Sequence, residues 1–336
     1  MSARDRGHEV MYFGSVRGQE RELAERHGFA FEAFDSAPLY SLKTPRGWRS
    51  LAALLRSSMG AKPVLLRAQA DMVFSTGGYS AAPVMSAARA TGTPYVIHEA
   101  NSVPGRANRL FSAKAKAITH SFRSTAAHLA WAVLHRTGQP IRPDLRQAVG
   151  ERLSGPPTVL AMGGSQGSKF LNELVPLAAA KCPQAQFILV TGRANSAEVR
   201  PVSQNLEVAA YLDTPALAQV YRRATVVIAR SGSSVAEFAM ARIPSLLIPL
   251  PSSADDHQYW NACEFADMHA ATVFREASHG GPAQPRSIAD PDTIADSVCR
   301  WITDQAAREL AARNLAEWDD PDATQKIVDL LESEAS

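Results

Sequence analysis

Cysteine is scarce in this 336-residue chain, and charge of neither sign prevails. The three cysteines, Cys182, Cys263 and Cys299, lack close spacing and are odd in number, which excludes a disulfide framework and a clustered zinc site. They read as buried thiols in a reducing compartment. Lysine and arginine total 35 against 33 acidic residues, a net charge of +2, and no tail or arm of one sign is present. Bulk nucleic-acid binding is therefore excluded. No apolar run reaches the ~18 residues of a membrane-spanning helix, and no signal-peptide pattern opens the chain. A cytoplasmic protein is expected.

What is present is an alternation of short apolar runs and helical patterns. Strands are expected at Glu9–Phe13, Ala30–Phe34, Asp71–Phe74, Pro94–Ile97, Ala117–His120 and Ala132–His135 in the first half. In the second half they fall at Thr158–Met162, Gln186–Val190, Leu206–Ala209, Thr225–Ile228, Ser245–Ile248 and Thr272–Phe274. Most are separated by enough chain for a crossover helix, the signature of parallel α/β sheets. The length suits about two domains, and the segment Gly138-Gln139-Pro140-Ile141-Arg142-Pro143 reads as the hinge between them. The expected fold class is α/β, with two doubly wound Rossmann-like domains over 1–141 and 142–316. Ligands of such folds bind beyond the carboxyl ends of the strands, here in the cleft between the domains. Ser278 to Pro285 reads as an irregular loop without function.

Two turns of the second half carry chemistry. Ala229-Arg230-Ser231-Gly232-Ser233-Ser234-Val235-Ala236-Glu237 runs from an apolar strand through a Ser/Gly turn into a helix with an acidic first turn. Its backbone N–H groups suit an anion, and the carboxylate suits hydroxyls. A ligand with phosphate and sugar diols fits both. Ser234 and Glu237 also match a capping box, which accounts for them without any ligand. Asp255-Asp256-His257-Gln258 follows one strand later, and its acids equally suit a helix N-terminus. Leu160 to Ser168 is a strand, a tight Gly163-Gly164 turn and a helix start, where Ser165 and Gln166 can donate to a diphosphate or its sugar. The residue before Lys169 is Ser168, so the P-loop spacing fails. The dinucleotide fingerprint fails too, because the next strand ends Val190-Thr191-Gly192 without an acidic residue. Asp290-Pro291-Asp292 opens a helix and reads as a cap, not as a metal-ligand pair.

In the first half, the Gly77-Gly78-Tyr79 turn and the His98-Glu99-Ala100-Asn101 segment each follow an apolar strand. The glycine turn can cradle a diphosphate. His98 and Glu99 form the visible pair able to take a proton from a hydroxyl, although local hydrogen bonding explains them as well. Trp48, Leu51, Leu55 and Met59 fall on one helical stripe flanked by Arg49 and Arg56. That face either packs on the core or rests on an anionic bilayer.

Taken in order, Gly7 to Val10, Gly77 to Tyr79, His98 to Gly105, Gly163 to Gly167, Arg230 to Glu237 and His257 to Asn261 resemble the MurG-type N-acetylglucosaminyltransferases, metal-independent enzymes of the GT-B fold without a cofactor. The resemblance implies inverting transfer of N-acetylglucosamine from UDP to the C4 hydroxyl of an undecaprenyl-linked muramoyl-pentapeptide. It implies that Ser231–Ser234 and Gly163–Gly167 hold the UDP diphosphate and that Glu237 holds the ribose. His257 and Gln258, with Asn101 and Arg142, would then attend the donor sugar or phosphates. Gly77-Gly78-Tyr79 would face the lipid diphosphate. A peripheral place on the cytoplasmic membrane face follows, with cell-wall synthesis proteins as partners and a last helix within 317–336 crossing back to the first domain. The family begins earlier, with a strand and a Gly-Gly-Thr-Gly-Gly-His loop, whereas this chain opens Met1-Ser2-Ala3-Arg4. A start placed too far downstream is the expectation, and the base is either a histidine upstream or His98 with Glu99. Two other readings stay open: a glycolipid synthase or UDP-sugar epimerase of the same fold, and a non-catalytic UDP-sugar-binding relative.

Overall fold

The computed structural model describes residues 1–16, 20–34, 44–164, 166–193, 199, 201–276 and 288–335, without the side chains at 46, 50 and 51. The chain forms two compact units, Met1–Gly138 with Asp322–Ser336, and Gln139–Pro321.

The first unit runs α1 (Ser2–Asp5), β1 (Met11–Ser15), α2 (Glu20–Arg26), β2 (Ala30–Phe34), α3 (Pro45–Arg67), β3 (Val73–Ser75), α4 (Ala82–Thr91), β4 (Tyr95–Glu99), α5 (Arg106–Ser112), β5 (Ala117–His120) and β6 (Leu134–Arg136). Strands β3 to β6 form a parallel sheet in sequential order, and β1 pairs with β2 in a separate parallel sheet. All five residues of β4 are buried, as a near-continuous apolar run covered on both faces should be. Its core gathers Leu65, Met85, Tyr95, Ile97 and Ile118.

The second unit contains α6 (Pro143–Val149), β7 (Thr158–Met162), α7 (Lys169–Lys181), β8 (Gln186–Val190), β9 (Leu206–Ala209), α8 (Thr214–Arg223), β10 (Ala224–Ala229), α9 (Val235–Met240), β11 (Ser245–Leu247), α10 (His257–Asp267), β12 (Ala271–Val273), α11 (Pro291–Thr303) and α12 (Gln305–Trp318). Its six strands are parallel in the order β9-β8-β7-β10-β11-β12. Chain direction across the sheet reverses between β7 and β10, which makes their carboxyl ends the topological switch point of a Rossmann-type sheet. Val159, Leu189, Val226, Ile228 and Leu246 centre the core.

The final helix, α13 (Ala323–Ala335), belongs to the first unit. Arg6 binds Asp329 at 2.6 Å and Glu332 at 2.9 Å, and His8 Nε2 lies 2.8 Å from Glu332. Each of the twelve expected strands has a counterpart, with ends shifted by a few residues at most. The cysteines depart from expectation: all are free thiols, but only Cys182 is buried. Burial and the neighbouring Cys299, whose Sγ is 3.5 Å away, push its thiol up to about 12.

Candidate active site

Both sequence-singled turns of the second unit sit at its switch point. Gly163 to Ser168 leaves β7, and Arg230 to Ser234 leaves β10, its neighbour in the sheet. The two turns are tied together directly, because Arg230 Nη2 donates to Ser168 Oγ at 2.9 Å. Arg230 Nη1 donates to the carbonyls of Ile248 and Pro249, and Glu276 pairs with it as well. The side chain is buried and its donors are engaged within the protein. Arg230 therefore braces the two turns against each other.

The glycines of the first turn answer to crowding. A Cβ on Gly163 would lie 2.4 Å from the Ser168 nitrogen, and one on Gly167 would lie 1.9 Å from the Thr191 oxygen. Gly192 packs back against Gln166 and Gly167, so the ends of β7 and β8 interlock backbone to backbone. Gly164, at φ +86, faces open space. Gln166 is exposed, and Ser165 lies outside the described residues.

The capping box does not form. Ser234 adopts helical φ −63 and ψ −17, and its side chain caps nothing; an N-cap needs extended dihedrals to reach back. Glu237 instead accepts a hydrogen bond from the Tyr221 hydroxyl at its Oε2, 2.7 Å away, and its Oε1 accepts none among the described residues. Burial, aided by the Glu237 charge, pushes the Tyr221 phenol well above its ordinary range. The amides of Ser231, Gly232, Ser233 and Ser234 likewise meet no acceptor among the described residues, because helical bonding begins at Val235 N. Ser231 is held by its hydroxyl to the Gln258 carbonyl, and its own carbonyl accepts from Asn261.

Gln258 is anchored through Oε1, which accepts from the Leu250 amide at 2.9 Å. Its Nε2 is about where a Cβ on Gly232 would touch it, at 3.8 Å, so its two remaining donors face the turn. His257 is fixed by Nδ1 against the Ala254 carbonyl. Asp256 is spoken for: Arg275, itself stacked 3.7 Å from the Tyr259 ring centroid, binds both its oxygens. Arg142 is exposed and donates to Thr214 Oγ1.

In the first unit, His98 and Glu99 close β4 and are both 2% exposed. His98 Nδ1 lies 2.9 Å from Thr119 Oγ1, and Nε2 lies 3.4 Å from Ser121 Oγ. Glu99 is saturated. Oε1 accepts from Asn101 N and Nδ2, and Oε2 accepts from Gly105 N and Asn108 Nδ2. Such a carboxylate shapes its loop and has no lone pair left for an acceptor hydroxyl. Asn108 also packs beneath Gly77, where a Cβ at φ +84 would meet its amide at 2.7 Å. Gly78 at φ +81 and the half-exposed Tyr79 complete that turn.

On α3, Trp48 is 62% exposed, and Leu55, Met59 and Leu66 are also exposed. At about 100° per residue these four fall within about 20° of one line. Ser58, Ala61 and Leu65 face the core instead. Arg49 and Arg56 lie together along one side of the exposed line, and the helix contains no acidic residue. The Leu51 side chain lies outside the described residues. No helix among those described is long and apolar enough to cross a membrane.

Comparison with known proteins supplies the family. Residues 3–120 match the glycosyltransferase family 28 N-terminal domain, and residues 158–282 match its C-terminal domain. The UDP-N-acetylglucosamine--N-acetylmuramyl-(pentapeptide) pyrophosphoryl-undecaprenol N-acetylglucosamine transferase of Shewanella frigidimarina is 32% identical, over 98% of this chain and 90% of its own length. The chain belongs to this transferase family. A second member, from Paraburkholderia phymatum, is 30% identical over 96% of this chain and 86% of its own. The crystal structure of Acinetobacter baumannii MurG superimposes with a TM-score of 0.77 at 25% identity, covering 99% of this chain and 93% of that one. A UDP-GlcNAc 2-epimerase from Neisseria meningitidis, at 13% identity and a TM-score of 0.64, shares the fold alone.

In this N-acetylglucosaminyltransferase, sequence reasoning missed Tyr221, Asn108 and Gly192. Each acts on a residue far from it in the chain. Only for Gly192 was there a local signal, a glycine closing an apolar strand.

Proposed function

We propose that the chain transfers N-acetylglucosamine from UDP-N-acetylglucosamine to the C4 hydroxyl of a lipid-linked N-acetylmuramoyl-pentapeptide, with inversion. One observation carries the reading: at the switch point, the unengaged Ser231–Ser234 amides stand in the same short segment as the Glu237 carboxylate with its open Oε1. Amides that need no reorganisation stabilise the charge growing on a departing diphosphate. Glu237 Oε1 accepts from the ribose hydroxyls. Gln258 Nε2, Arg142 and the His257 ring attend the donor sugar and phosphates, while Gly164 allows close backbone approach. The Gly77-Gly78-Tyr79 turn serves the acceptor, and Asn101, on the loop that Glu99 holds in shape, attends the donor sugar or phosphates. Glu99, whose lone pairs are all taken, frames that loop rather than removing the acceptor proton, and His98 stands between Thr119 and Ser121 as the remaining member of the pair. The exposed Trp48–Leu55 line with Arg49 and Arg56 rests on the anionic membrane that holds the acceptor.

Transfer of labelled N-acetylglucosamine to a short-chain analogue of the lipid-linked acceptor tests this. Acceptor-dependent release of UDP is expected, with Glu237→Ala raising the donor KM roughly tenfold, the worth of one good charge-assisted hydrogen bond. Folded protein that isomerises the donor, or releases UDP equally without acceptor, would refute it.

A further inference from the structure

Glu237 lies in the first turn of α9, a partly exposed position where a carboxylate would ordinarily sample several rotamers. Here one oxygen is held from behind. Tyr221 comes from α8, the helix that leads into β10, and its ring is completely buried with an edge-on contact to Phe238 at 6.2 Å. A buried phenol has no freedom to follow the carboxylate, so the 2.7 Å hydrogen bond fixes Glu237 rather than the reverse. We propose that Tyr221 is a positioning residue that pins Oε2 of Glu237 and thereby presents Oε1, at a set angle, to the vicinal diol of the donor's ribose. The proposal rests on the reading of Glu237 as the ribose carboxylate.

Its consequence is a division of labour. Glu237 supplies the acceptor atom, and Tyr221 supplies its orientation without touching substrate. The raised phenol keeps the proton on the tyrosine at every pH the enzyme meets, so it donates throughout. Because the ribose is remote from the bond that breaks, the pin contributes equally to ground and transition states and acts on KM alone.

The test is binding of UDP and of 2′,3′-dideoxy-UDP to the wild-type chain, Tyr221→Phe and Glu237→Ala, with circular dichroism to verify folding and a parallel measurement of kcat and KM. Tyr221→Phe removes one oxygen and leaves the ring packing unchanged. The expected result is a roughly tenfold weaker UDP affinity, an unchanged affinity for the dideoxy nucleotide, a raised KM and an unaltered kcat. Equal weakening of both nucleotides would mean a merely structural role and would overturn the proposal. So would no change in either. Should Glu237→Ala abolish discrimination between the nucleotides while Tyr221→Phe preserves it, the pin fails and the ribose reading stands. If Glu237→Ala itself preserves discrimination, the ribose reading fails and takes the pin with it.

Discussion

Replacing Gly167 by alanine, with Gly164→Ala as its partner, separates two costs that a glycine turn usually confounds. Both residues have positive φ, +79 and +86, so each alanine is strained by about 1–2 kcal/mol. At Gly164 the cost stops there, because the new methyl meets nothing within 4 Å. At Gly167 the methyl would lie 1.9 Å from the Thr191 oxygen and 2.8 Å from its carbon. A carbon–oxygen contact needs at least 3.0 Å, so the end of β7 and the end of β8 must part by about an ångström. The clashing atoms are backbone and cannot rotate away, and separating them adds on the order of 2–3 kcal/mol of overpacking. For a unit of this size, each kcal/mol lowers Tm by about 2–4 °C. Gly164→Ala is therefore expected to lose roughly 2–8 °C, and Gly167→Ala at least about 4 °C more. Thermal unfolding, with UDP binding as a second readout, measures both. Equal losses for the two variants would refute the interlock as the reason glycine occupies position 167.

Glu99→Gln turns one of the two carboxylate oxygens, and so two of the four accepting sites, into an NH2 facing other donors, so a loss on the order of 3 kcal/mol is expected in urea unfolding; a loss below about 0.5 kcal/mol would remove Glu99 as the frame of its loop. Trp48→Ser combined with Leu55→Ser should abolish most co-sedimentation with anionic vesicles, since full burial of each side chain is worth at most about 1.5–3 kcal/mol. Binding that is unchanged, or equal on neutral vesicles, contradicts the membrane face. The hydrogen bond from His8, with the charge of Arg6, holds Glu332 below its ordinary carboxyl value of 4.5. A depressed carboxyl stabilises fully above that ordinary value and loses its effect as pH falls through the lowered one. Amide exchange in α13, corrected for intrinsic rate, should therefore quicken only below about pH 4.5 and in high salt. Quickening at neutral pH in low salt would contradict the role of these pairs.

The fold was largely legible because it is written in local periodicity. β4, Tyr95-Val96-Ile97-His98-Glu99, is an apolar run that could hardly be anything but a covered strand, and all twelve runs formed one. Local capping was legible too: Asp290 caps α11 through the amides of Asp292 and Thr293, as its spacing to Thr293 allows. Legibility ended where a side chain's partner lies far along the chain. Ser234 and Glu237 have capping-box spacing, yet Glu237 turns to Tyr221, sixteen positions away on another helix. Arg230 precedes the Ser231–Ser234 turn in sequence, but its four partners come from three other segments and hold it among them. His98-Glu99 has the residue types of an acid–base pair, and only the fold reveals that Thr119, Ser121, Asn101, Gly105 and Asn108 claim every site on it. Chemistry of a residue type is visible in sequence; its availability is not.

The single carboxylate of Glu99 reaches two loops, its own and, through Asn108, the Gly77 turn. Those loops therefore form one cassette rather than two modules. Under the proposed acceptor role of the Gly77 turn, redesign by grafting either loop alone from another enzyme would leave a buried charge without its donors or a methyl driven into an amide. The transferable piece is the whole set of Gly77, Glu99, Asn101, Gly105 and Asn108, and a library that varies residues between those five anchors, Tyr79 first among them, keeps the scaffold intact.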